Sequence, residues 1–68
     1  MNKNFLLSIM ALYGDKNKDL ADYLGISEQS VSNKINEAGT EFKLREIKLI
    51  KKRYHLTAEQ VDLIFFAD

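Results

Sequence analysis

Apolar residues along this 68-residue chain recur at helical spacing almost throughout. Phe5, Ile9 and Leu12 fall on one face of a first helix, with Leu6 and Tyr13 beside them. Gly14 closes that helix as a C-terminal glycine does. Asp15 or Asn17 is placed to cap a second helix, which turns Leu20, Ala21 and Leu24 inward. Gly25 breaks it. Ser27 is the N-cap of a third helix running to about Asn36, with Ser30 in the place of the capping-box acid. Val31 and Ile35 lie one turn apart on its buried side. Ala38 and Gly39 stop it, and a short loop around Thr40 and Glu41 leads through Phe42 into a fourth helix with Leu44, Ile47 and Ile50 inside. Thr57 and Gln60 make a capping box for a fifth, with Val61, Ile64 and Phe65 inward. No stretch alternates with period two and none repeats. The pattern predicts an all-α fold, a compact single domain over residues 1–68 with five helices.

Composition narrows what can hold such a domain together. A chain this short buries only about 60% of the surface it exposes when unfolded. It has no cysteine and one histidine, so neither a disulfide framework nor a metal site is expected, and no cofactor. His55 has no neighbouring Cys, His or acid cluster and reads as a surface or capping residue. Apolar packing must therefore carry the stability. No apolar run reaches membrane-spanning length, and MNKNFLLSIMALYG lacks the length and cleavage site of a signal peptide. A reducing, cytoplasmic setting fits the missing cysteines.

Charge changes the picture more. Ten basic residues balance ten acidic ones. A net charge of zero opposes nucleic-acid binding, because phosphate contacts draw on excess Lys and Arg. The distribution is uneven, however. KLREIKLIKKR, residues 43–53, holds six basic residues against Glu46 alone, and the rest of the chain is net acidic. Local charge governs contact with a phosphate backbone more than the total does. On a helical wheel Arg45, Lys48 and Lys52 share a face away from Leu44 and Ile47. Tyr13, Tyr23 and Tyr54 do not interleave with basic residues as a base-stacking platform does, and read as core-edge residues.

LADYLGISEQSV, residues 20–31, carries the main functional signal. Two short helices joined by a glycine-containing turn form the helix-turn-helix pattern. Ala21 is small where the helices cross, Gly25 supplies positive φ, Ile26 fills the space under the turn, and Val31 and Ile35 lock the third helix onto the second. Glu28, Gln29, Ser32 and Asn33 then face outward. A helix presented this way fits the major groove, with its N-terminal residues at base edges. Gln29 and Asn33 can each pair bidentately with adenine, and Glu28 can accept from cytosine N4.

NKDLADYLGISEQSVSNKIN, residues 17–36, resembles the helix-turn-helix of phage repressors and Cro proteins, the lambda-repressor-like or Xre-type domains. FKLREIKLIKKRYHLTAEQVDLIFF resembles the two closing helices of the same family, so the likeness runs from about Phe5 to Phe66. The resemblance implies a regulator of transcription encoded by a phage or prophage, acting in the cytoplasm of a bacterial host and held at the nucleoid when bound. It implies a double-stranded DNA operator as partner, a homodimer, and no small-molecule substrate. By position it implies base reading by Glu28, Gln29, Asn33 and Ser32. It implies backbone contacts from Asn17, Ser27, Ser30, Lys34 and Asn36, and from Lys43 and Arg45 at the start of the fourth helix. Glu28 and Lys43 depart from the family pattern, which often has a neutral or basic residue at the first and a capping Thr at the second.

Blander readings accompany these. Without the motif, Glu28, Gln29 and Asn33 are a solvated polar face, and the basic run of the fourth helix is another. Leu63 and Phe66 fall opposite Val61, Ile64 and Phe65 and should be exposed in a monomer. A helix apolar all round needs a second surface, which suggests a symmetric pair joined at Leu63 and Phe66. A protein-interaction module such as an antirepressor, keeping the fold without DNA, is the alternative that zero net charge and Glu28 favour. An enzyme is not expected: no nucleophile sits near a base, no Gly-rich phosphate loop exists, and a closed pocket has little room.

Overall fold

The computed structural model describes residues 1–67. They form five helices and no strand among the described residues: α1 (Lys3–Leu12), α2 (Asn17–Leu24), α3 (Glu28–Ile35), α4 (Leu44–Arg53) and α5 (Ala58–Val61). α5 continues without a break into a π-helical turn over Asp62–Phe66. No helix among the described residues is long and apolar enough to cross a membrane.

α1 to α4 each contribute one aliphatic side chain with no exposed surface, Leu6, Leu20, Val31 and Ile50, and the π turn adds Ile64. Burying one such side chain stabilises by about 1.5–3 kcal/mol. Around this centre lie Ile9, Met10, Ala21, Leu24, Ile35, Phe42, Ile47, Tyr54, Leu56 and Val61. The molecule measures 27 × 26 × 21 Å. Two of its expected inner faces are rotated. α1 buries Leu6, Ile9 and Met10, while Leu12 is 84% exposed. In α4 the inner face is Glu46, Ile47 and Ile50, and Leu44 points into solvent.

Local chemistry sets the boundaries. The Asn2 side chain accepts from the Phe5 N–H at 3.2 Å and opens α1. α2 starts differently from expectation: neither Asp15 nor Asn17 caps it. Lys16 occupies the N-cap, and its N–H donates to Asp19 Oδ2 at 2.8 Å. Asp15 is drawn away by α4. Its carboxylate accepts from Arg53 Nε at 2.7 Å, from Arg53 Nη2 at 3.0 Å and from the Tyr54 hydroxyl at 2.6 Å. The Arg53 guanidinium also lies 4.8 Å from the centre of the Tyr23 ring. This cluster fastens the α1–α2 link to the end of α4, and it takes Arg53 out of the basic run.

α2 packs chiefly on α3. The turn between them needs Gly25, whose φ is +74°, a region that costs a residue with a Cβ about 1–2 kcal/mol. The Gly25 and Ile26 N–H groups both return to the Ala21 carbonyl, at 2.9 and 3.1 Å. Ser27 accepts from the Ser30 N–H at 3.0 Å and starts α3. Thr57 and Gln60 complete a reciprocal capping box at α5, at 3.1 and 2.9 Å.

Candidate nucleic-acid interface

The solvent side of α3 is built by register. Val31 and Ile35 point into the core, so Gln29 and Asn33, about half a turn round the helix, face away from it. Glu28 and Gln29 are exposed, Ser32 and Asn33 half-buried, and Asn36 exposed again. Asn17, at the start of α2, lines a shallow depression together with Glu28, Gln29 and Ser32. The start of α2 and the first turns of α3 thus meet in one polar hollow with a single carboxylate, Glu28, in its lining.

Hydrogen bonds order this row. Gln29 Nε2 donates to Asn33 Oδ1 at 2.9 Å, one helical turn on. That bond leaves the Gln29 oxygen and the Asn33 amide protons free to meet another group. The Ser27 hydroxyl donates to Ser30 Oγ at 2.9 Å while accepting from the Ser30 N–H, so both hydroxyls are engaged at the cap and only the Ser30 proton is free. Asn36 Nδ2 donates to the Ser32 carbonyl at 3.0 Å. Its Oδ1 accepts from Lys3 Nζ at 3.2 Å. Lys3 thereby places an exposed ammonium at the C-terminal end of α3, a position that no pattern near Asn36 announces. Sequence reasoning missed it because the two residues are 33 apart.

Lys34 is a correction. It was expected at the surface as a backbone contact, and it is 7% exposed. Its ammonium donates to both oxygens of Glu46, at 2.7 and 2.8 Å. Glu46, 1% exposed, also accepts from the Lys43 N–H at 2.8 Å. Burial pushes the Glu46 carboxyl up, but the Lys34 and Lys43 hydrogen bonds outweigh it and hold the group below its ordinary value. The geometry suits both partners. A cation in the last turn of α3 and an anion in the first turn of α4 each sit at the favourable end of a helix dipole. Lys34 cannot reach a phosphate without abandoning a buried carboxylate. A lone Glu among six basic residues gives no sign in sequence that it points inward.

The remaining expected contacts are scattered. Lys43 is exposed at the N-cap of α4. Arg45 is exposed as well, and its Nη2 lies 3.4 Å from the Leu24 carbonyl at the end of α2. Neither lines the α3 depression. Lys16 and Lys18 are exposed on either side of Asn17. Leu63 and Phe66 are 45% and 60% exposed, away from this row, beside the hollows around α5. No group of three or more His, Cys, Asp or Glu residues among those described could hold a metal ion.

Comparison with family models, with curated proteins and with solved structures finds no match for this chain.

Proposed function

We propose that this chain binds double-stranded DNA with sequence preference, through a helix-turn-helix of the lambda-repressor-like kind, and regulates transcription as a Cro or repressor protein of a phage or prophage. The observation that carries the reading is the outward row of Gln29, Ser32 and Asn33 on a helix whose other side is clamped to α2, with Asn17 brought alongside. Short amides and hydroxyls at that spacing suit base edges, and a helix of this width enters the major groove. α3 is the element that enters, and α2 lies across the backbone with Asn17, Lys16 and Lys18 near phosphates. Two copies on a near-palindromic site would stand about 34 Å apart, one turn of the duplex.

The test is selection of duplexes from a random pool by the intact chain, followed by titration of the winning sequence. Gln29→Ala and Asn33→Ala are each expected to weaken that site by about 1–3 kcal/mol while leaving binding to unrelated duplex unchanged. Equal affinity of both variants and the parent for the selected site would defeat the assignment.

Two observations favour a second reading, a protein-interaction module that keeps the fold without DNA. Glu28 stands at the mouth of the depression, where it repels phosphate, and the inward turn of Lys34 removes one cation from the same helix. Failure to enrich any duplex, together with capture of a protein partner that Gln29→Ala releases, would favour this reading instead.

A further inference from the structure

A second surface lies away from the α3 row. The loop before α4 and the π turn enclose a hollow of about 110 Å³. Phe42 and Ile47 are buried at its floor, Phe65 is half-buried, and Phe66 stands exposed on its wall. Phe65 is held against Phe42 edge to face, with ring centres 5.8 Å apart. Over Phe42 and Ile47 the space has room for one aliphatic side chain, with polar groups around it.

Its unpaired charges are acidic. Met1, Lys34, Glu37 and Glu41 line the hollow, and across Phe66 a second depression is lined by Glu59, Asp62, Leu63 and Ala67. Glu37 meets the N-terminal ammonium at 3.1 Å. Glu41, Glu59 and Asp62 have no ion-pair partner among the described residues. Of the cations near it, Lys34 is held by Glu46, while Lys3, bonded to the neutral Asn36 amide, and Lys43, next to Phe42 in the chain, are exposed and do not line the hollow.

This charge distribution selects the occupant. A second copy placed over Phe66 by a two-fold axis would bring the same carboxylates of both chains together around a small apolar contact, and like charges across an interface oppose association. A cationic chain meets no such barrier. We propose that this face docks a basic amphipathic helix of another protein. One aliphatic or aromatic side chain enters the hollow over Phe42 and Ile47, and Lys or Arg residues a turn to either side meet Glu41 and Asp62. An apolar anchor at helical spacing in a groove is an established mode of helix recognition. Occupancy of this face does not depend on whether α3 reads DNA.

The probe is a labelled helical peptide of leucine, alanine and lysine, with a counterpart in which every lysine is glutamate. Each is titrated into the full chain by fluorescence anisotropy, and the site is mapped by amide chemical shifts. The lysine peptide is expected to bind saturably, with shifts centred on Phe42, Ile47, Phe65 and Phe66, and at least about tenfold more tightly than the glutamate peptide. The double change Glu41→Lys and Asp62→Lys should lower that affinity about tenfold or more. Phe66→Ser should do the same with the helical circular dichroism unchanged, since its side chain is exposed. Shifts centred instead on Asp19 and Asp22, equal binding of the two peptides, or no saturation by about 1 mM would overturn the proposal. So would self-association in sedimentation equilibrium that Phe66→Ser abolishes and the charge reversal strengthens, because the occupant would then be a second copy.

Discussion

Gln29 and Asn33 are a coupled pair rather than two independent side chains, because the amide of one is bonded to the oxygen of the other. Groups that share a hydrogen bond do not contribute additively. In a double-mutant cycle on the selected duplex, Gln29→Ala with Asn33→Ala should cost less than the sum of the singles, by about 0.5–1 kcal/mol. Lys34 and Glu46 are coupled more strongly. Removing one partner leaves a buried charge alone, which costs about 3–5 kcal/mol, much of the total stability of a domain this small. Glu46→Gln should therefore unfold at far lower denaturant than the parent. Lys34→Met combined with Glu46→Leu should recover most of the loss, because an apolar pair avoids the desolvation cost. Urea unfolding of the parent and the two variants checks this. Acid probes the same residues. The Arg53 hydrogen bond leads in holding the Asp15 carboxyl below its ordinary value against the opposing effect of burial, and Glu46 is lowered too. Both are ionised more readily folded than unfolded, so the stability they add is present above the unfolded carboxylate pKa and lost as pH falls through the folded values. Unfolding free energy should decline as the solution is taken below about pH 4. Asp15→Asn should flatten that decline.

Among the elements, α2 and α3 depend most on single residues, since each has only two turns. A Cβ at Gly25 would meet nothing within 4 Å, so its φ of +74° alone penalises a side chain. Gly25→Ala is expected to cost about 1–2 kcal/mol, and Gly25→Asn less, because Asn tolerates that region better. Ser27→Ala should cost about 1 kcal/mol through the lost cap. Thermal unfolding measures all three. The elements themselves were legible in the sequence: Gly14, Gly25, Ser27 and the Thr57–Gln60 box stand where the chain turns or starts a helix. Phase was less legible. Residues 5–13 are apolar on nearly every side, so Phe5–Ile9–Leu12 and Leu6–Ile9–Met10 satisfy helical spacing equally, and only the packing of α1 on its neighbours decides between them. The same limit applies to Leu44, a first-turn residue that the Ile47–Ile50 spacing could not orient. Charged residues misled for another reason. Asp15, Lys34, Glu46 and Arg53 form their pairs across 12 to 38 positions, and nothing local distinguishes them from surface charges. The orientation of Gln29 and Asn33 was legible because the two buried apolar residues of α3, Val31 and Ile35, are enough to set it.

For the whole molecule, the two internal ion pairs redistribute a neutral total. Lys34 and Arg53 are engaged inside, leaving the exposed cations on Lys3, at the start of α2 and along the outer side of α4. Affinity for duplex DNA should fall with salt on a shallow slope, corresponding to only a few displaced counterions. Titrations across a range of salt concentrations give that slope directly. Lys16→Ala and Lys18→Ala should each reduce it by about one, and the paired change Lys34→Met with Glu46→Leu, which leaves no buried charge alone, should leave it unchanged. The isolation of Lys34 has a use beyond binding. Every other lysine in the chain stands in solvent, so an acylating reagent reaches those amines in the native state. Lys34 reacts only when α3 lets go of α4, and its labelling rate is therefore a clock, read by mass spectrometry, for how often the two helices part.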